Sequence, residues 1–132
     1  MMKALSRRVG WLLVSLMVLA LPAAAADAPK VLNVIAVKVK GDQNTYLQRL
    51  KQLNAIQQRL ETGGTIRAWR ATTAGQDVGT IYVGIEYANL EAFAQAATKL
   101  QADEEWNKVM KELDASGLRE VIGNSLLVEI TP

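Results

Sequence analysis

The 132-residue sequence contains no cysteine and no histidine. The first absence excludes disulfides and thiolate nucleophiles. The two together exclude Cys/His zinc sites, and without histidine neither a Ser-His-Asp triad nor a His-ligated haem can be built. No metal site and no cofactor are expected. Aromatic residues are also scarce, with one Phe, three Trp and three Tyr, so each marks a position worth placing. No internal repeat or low-complexity linker breaks the chain after its N-terminal segment. A glycine-rich phosphate loop is missing too: Gly63-Gly64 follows a helical pattern, whereas such loops precede one.

Residues 1–26 have the three-part layout of an export signal. Lys3, Arg7 and Arg8 supply a positive start, and Val9 to Leu21 is an apolar run of 13 residues. Pro22 breaks that run, and Ala24-Ala25-Ala26 offers the small-x-small cleavage pattern. The run is too short to cross ~30 Å of hydrocarbon as a helix, which needs about 20 residues. The expectation is cleavage, a periplasmic or secreted product, and no stable membrane anchor afterwards. Lys3, Arg7 and Arg8 account for three of the 15 basic residues and none of the 13 acidic ones, so cleavage leaves 12 against 13. The remaining domain, residues 27–132, therefore has no basic surplus to draw it to nucleic acid, and no nucleic-acid partner is expected. It is long enough to bury a core without staples.

Val31 to Lys40 reads as a strand that is apolar on both faces at its start. One face carries Val31, Asn33, Ile35, Val37 and Val39; the other carries Leu32, Val34 and Ala36 before Lys38 and Lys40. A sheet covered on one side alternates apolar and polar, so this strand is expected at the sheet centre with material packed on each face. After N-cap candidates at Gly41–Asn44, Tyr46, Leu47, Leu50, Leu53, Ile56 and Leu60 form a helical stripe over 45–61, with Gln57 among the residues of its polar side. Gly63-Gly64 is expected to stop the helix in the left-handed conformation. A hairpin follows, with strands over 65–72 and 78–87 joined by residues 74–77. Asn89 and Asp103 are N-cap candidates for two more helices. The first should bury Leu90, Phe93, Ala94, Ala97 and Leu100; the second should bury Trp106, Val109, Met110 and Leu113. Glu104 and Glu105 suit the second helix's dipole. A final strand is expected over 125–131.

The order strand, helix, strand, strand, helix in two pieces, strand is the split βαβ, ferredoxin-like arrangement of the α+β class. Its helices cover one face of a four-stranded antiparallel sheet. The second apolar face of the first strand then needs a cover, since exposed apolar surface of that size marks an interface. A homodimer through the open sheet face is the expectation.

Three segments carry a resemblance: Val31–Lys40, the hairpin from Arg67-Ala68-Trp69-Arg70 to Tyr82-Val83-Gly84-Ile85-Glu86-Tyr87, and Asp103-Glu104-Glu105-Trp106 leading to Leu126–Ile130. Together they resemble the dimeric α+β-barrel superfamily, which includes antibiotic-biosynthesis-monooxygenase-like and NIPSNAP-like domains. The resemblance implies pairing as a dimeric α+β barrel. It does not select a function, because members include cofactor-free oxygenases, haem-degrading enzymes and haem-dependent enzymes. Asn33 and Trp69 are similar to the Asn and Trp of small haem-degrading members, but those ligate haem through a histidine that this chain lacks.

The candidate ligand-binding residues are Asn33, Arg67, Trp69, Tyr82 and Trp106, in a pocket expected between helices and sheet. The favoured function is binding of a small apolar or aromatic molecule, or a role as a dimeric interaction module. The alternative is a cofactor-free monooxygenase-like enzyme acting on a small aromatic substrate, with Arg67 or Arg70 and Tyr82 orienting its anion. No catalytic residue is singled out. Solvation of Arg67 and Arg70 on an outer strand, or pairing with Glu86 or Glu91, is the stronger reading of those two residues.

Overall fold

The computed structural model describes residues 28–73 and 75–130. The expected export signal, residues 1–26, lies outside them. The elements are β1 (Val31–Val39), α1 (Gln43–Arg59), β2 (Thr65–Arg70), a 3-10 turn (Gly75–Asp77), β3 (Ile81–Tyr87), α2 (Leu90–Ala102), α3 (Glu104–Ala115) and β4 (Arg119–Val128). The strands form one antiparallel sheet in the order β2-β3-β1-β4. This is the ferredoxin-like α+β fold, with β1 central as its double-sided apolar pattern requires. Among the described residues no helix is long and apolar enough to cross a membrane.

The helices start where the short polar side chains sit. Asp42 accepts the Thr45 N–H at 2.9 Å, Asn89 the Ala92 N–H at 2.8 Å, and Asp103 the Trp106 N–H at 2.9 Å. Each satisfies one of the amides that a helix N-terminus leaves unpaired.

The core lies between the helices and one sheet face. Val37, Ile81 and Val83 meet Tyr46, Leu50, Leu53, Ile56, Leu100, Val109 and Leu113 there. A smaller cluster joins Val31, Ile85 and Tyr87 to Ala96 at the other end. The helix-facing residues of β1 are therefore Val31, Asn33, Ile35, Val37 and Val39. Leu32, Val34 and Ala36 alternate with them and face away.

Four details differ from the sequence expectation. β4 begins at Arg119 and runs to Val128, because it pairs with β1 along that strand's whole length. A register shift between Ala36 and Val37 puts one extra residue, Ile122, into β4 and carries it past Gly123. In α2 the inward face is Ala92, Phe93, Ala96, Ala97 and Leu100, while Leu90 is 56% exposed and Ala94 is exposed. Gln57, assigned to the polar side of α1, is fully buried. It sits in a polar knot: Thr62 Oγ1 donates to Gln57 Oε1, the Gly64 N–H donates to Thr62 Oγ1 at 3.2 Å, and the Tyr87 hydroxyl lies 3.4 Å from the Gln57 amide. A buried amide is tolerable because its partners are supplied.

The stop of α1 is the fourth difference. The left-handed residue after the Leu60 C-cap is Glu61, at φ 52°. The Glu61 N–H donates to the Gln58 carbonyl at 3.1 Å and the Thr62 N–H to the Gln57 carbonyl at 3.2 Å. That pair of bonds is the Schellman pattern. Gly64 has a different job: a Cβ there would stand 2.7 Å from Tyr87 Cε1 and 2.8 Å from Ile85 Cγ2. Glu61→Gly should therefore raise stability by up to about 1 kcal/mol, as the left-handed strain of a non-glycine residue is removed. Gly64→Ala should lower it by about 1–3 kcal/mol through overpacking. Urea unfolding of both variants checks the pair; equal midpoints would contradict it.

Candidate functional site

The five candidate residues fall on two sides of the sheet. Antiparallel register fixes this, since directly paired residues share a face. Asn33 pairs with Ile85 on one side and Leu126 on the other, all toward the helices. Tyr82 pairs with Ala36 and with Trp69, and Arg67 pairs with Gly84, all toward the open face. The single pocket expected to hold Asn33, Trp69, Tyr82 and Trp106 together is thus divided by the sheet. Asn33 and Trp106 remain together; Arg67, Trp69 and Tyr82 form a second group. Arg70 lies on the helix side of β2, opposite in phase to Tyr82, so those two do not converge. Arg70 Nη1 donates to Gln43 Oε1 at 3.3 Å, and Glu86 pairs with Lys30 at 3.4 Å, so neither makes the Arg–Glu pairs considered from sequence.

The helix-side group lines a cavity of about 190 Å³. Its sheet floor is Asn33, Ile35, Ile66, Val83, Ile85 and Tyr87. Its helical walls are Leu50 and Leu53 of α1, Phe93, Ala97 and Leu100 of α2, and Trp106 and Met110 of α3. Arg119, at the start of β4, completes it. For scale, a dry cavity of roughly 150 Å³ holds a benzene. The space suits a single ring with a short substituent or a chain of similar bulk.

Polar groups around this cavity are few and specific. Tyr87 packs edge-to-face on Phe93, with ring centroids 5.6 Å apart at 69°. Burial pushes its phenol above the ordinary value, and the Gln57 contact opposes that only in part. Tyr46 is fully buried and neighbours Arg119; burial raises its phenol, and the guanidinium pulls it partly back. Arg119 was not singled out from sequence, although the register sets it opposite Val39, in phase with the helix-facing residues of β1. Among the described residues no group of three acidic side chains could hold a metal ion.

The open-face group is arranged differently. Trp69 is 51% exposed and lies across Gly84, where a Cβ would stand 2.8 Å from Trp69 Cζ3. Glycine at this position lets the indole lie against the neighbouring strand. A depression beside it is lined by Leu32, Gly63, Thr65, Arg67, Trp69, Gly84 and Glu86. Leu32 pairs with Leu127, itself 50% exposed, so the apolar row continues to the β4 edge.

Trp106 is held by its own helix start. Asp103 caps α3 through the Trp106 N–H and also receives Arg59 Nη2 at 2.8 and 2.9 Å. Glu105 joins the same guanidinium at 3.1 Å. The Trp106 amide and Arg59 hold the Asp103 carboxyl below the ordinary carboxylate range.

No protein-family model and no curated protein matches the chain. Solved structures do. A NIPSNAP family protein from Agrobacterium tumefaciens is 16% identical, with a TM-score of 0.57 over 78% of this chain and 93% of that one. A mutant of SnoaB, a cofactor-independent oxygenase from Streptomyces nogalater, is 17% identical, with a TM-score of 0.59 over 80% and 97%. A NIPSNAP-like domain protein from Burkholderia xenovorans is 13% identical, with a TM-score of 0.55 over 78% and 85%.

The lowered pKa of Asp103 gives a signed expectation. Its stabilising contribution is full above the unfolded carboxylate value of about 3.9 and is lost as pH falls through the lower folded value. Asp103→Asn keeps a capping oxygen but loses the charge. The variant should melt below the parent at pH 7, and the gap should close as pH drops below about 4. Melting temperatures across pH 2–7 check this; a constant gap would contradict it. The chain thus has the ferredoxin-like α+β fold shared by NIPSNAP-family and monooxygenase-like structures.

Proposed function

We propose that this chain is an exported domain that binds a small apolar or aromatic molecule in the cavity between helices and sheet. Two copies pair through the open sheet face. The observation that carries the binding reading is the cavity: about 190 Å³ of mostly apolar wall, supplied by one chain, with Asn33, Tyr87 and Arg119 among its polar members. Ligand sites have this character, apolar surface with a few placed polar groups. Asn33 and Trp106 belong to it. Arg67, Trp69 and Tyr82 belong to the pairing face.

The pairing reading is supported by Leu32, Val34, Ala36, Trp69, Tyr82 and Leu127 sharing one sheet face that, among the described residues, no helix covers. A second copy offers the same apolar row and a matching twist. The second functional reading, a cofactor-free monooxygenase acting on a small aromatic substrate, would use the same cavity. It is supported by the fold alone, which the SnoaB structure shares.

Native mass spectrometry of the chain purified from a Gram-negative periplasm tests the proposal. The expected species is a dimer of residues 27–132 carrying a small adduct. Ala97→Phe, which fills the cavity, should lose the adduct and keep the dimer, at a stability cost of about 1–3 kcal/mol. Trp69→Asp should keep the adduct and lose the dimer. A bare dimer would favour an interaction module, and a bare monomer would overturn both parts. An unprocessed mass would overturn export.

A further inference from the structure

Arg119 carries a charge that its surroundings do not balance. Its side chain is 7% exposed. Its ion pair, Nη2 to Asp114 Oδ1, is long at 3.5 Å, and Asp114 is 68% exposed. The hydroxyl of the neighbouring Tyr46 is close enough to the guanidinium to interact with it, yet neither that hydroxyl nor Arg119 Nε is in a well-formed hydrogen bond. A buried carboxylate can escape such a position by taking a proton. A guanidinium cannot, because it stays charged at any working pH. A buried cation is tolerable when an anion and hydrogen-bond acceptors face it. The same residue lines the apolar cavity.

We propose that Arg119 is the anion anchor of this cavity and that its ligand is a small apolar monocarboxylate. This rests on the ligand-binding reading above and names its chemical class. The two carboxylate oxygens would accept from Nε and Nη2 on one edge of the Arg119 guanidinium, supplying the acceptor that Nε lacks. One cation matches one negative charge. A phosphate brings more charge and more oxygens than these two donors serve.

The lining also orients the ligand. Val39, the cross-strand partner of Arg119, lies six residues along β1 from Asn33. The two polar residues are thus rooted toward opposite ends of β1, and both side chains line the one cavity. Between them are Ile35, Leu53, Leu100 and Trp106. The carboxylate sits at the β4 end and the apolar body extends toward Asn33.

Calorimetric titration of the full chain tests this, with 3-phenylpropanoate and octanoate as acids and 3-phenylpropan-1-ol and octan-1-ol as neutral counterparts. Each acid should bind the parent protein at least about tenfold tighter than its alcohol, as a charge-assisted pair outweighs a neutral one. Arg119→Met should erase that preference by weakening the acid, while the alcohol stays within about threefold. Arg119→Lys, which keeps charge without the planar fork, should fall between. Equal binding of acid and alcohol by the parent overturns the inference with no variant needed and leaves the cavity reading intact. Unchanged acid binding in Arg119→Met overturns it as well. If neither acids nor alcohols bind, the cavity reading fails and takes this one with it.

Discussion

β1 pairs with β3 on one side and with β4 on the other, so its period-two alternation is imposed on the sheet around it. Each residue of β1 commits its neighbours on both flanks to the same face. Asn33 commits Ile85 and Leu126 to the helices; Leu32 commits Glu86 and Leu127 to the open side. A slip of one residue would exchange those sets and bury Glu86 under the helices. The register is held by the apolar weight of Val31, Ile35 and Val37 on the helix side. The shift near Ala36 and Val37 lets β4 follow β1 to its end without breaking that parity beyond the extra residue.

Most of the fold is legible in the sequence for the same reason. Alternation over Val31–Lys40, helical spacing over Tyr46–Ile56, and Asp or Asn before each helix are local signals, and local signals survive without the rest of the chain. The division of the candidate residues was also within reach. Ile81, Val83 and Ile85 are the heavier apolar row of β3, so the helices claim them and Tyr82 must face away. Combining that parity with Trp69 opposite Tyr82 separates both from Asn33. Other features had no local signal. Gln57 looks like any polar helical residue; only the arrival of Thr62 and Tyr87 makes its burial affordable. Glu61 in the left-handed region is set by the chain's path into Gly64 rather than by its own preference. Arg119 has a long side chain whose burial depends on what three other elements leave open.

Gln57 and Arg119 show two outcomes for a polar group inside one small core. The Gln57 amide is neutral and meets the Thr62 hydroxyl of the following turn and the Tyr87 hydroxyl of β3. It ties the end of a helix to the end of a strand. Arg119 meets an exposed carboxylate at long range and leaves Nε without an acceptor. Replacing a buried charge with an apolar residue of similar size is often neutral or stabilising. Stability alone therefore gives no reason for an arginine at this point. The proposed ligand, arriving from outside, would supply one, and the cavity beside Arg119 is where it would fit.

The sheet also keeps the two proposed tasks apart. The cavity walls come from one chain, and the pairing residues are on the reverse of the same strands. Val83 and Ile85 touch the cavity while Tyr82, Gly84 and Glu86 lie on the pairing face, so the two sites share backbone and no side chain. Effects of separate sites without shared partners add. In the proposed arrangement neither occupancy nor pairing supplies a side chain that the other needs. What coupling exists must pass through displacement of the shared strands β1, β2 and β3. Gly84 is where such a displacement would be felt first, because Trp69 rests on that backbone with no side chain between them.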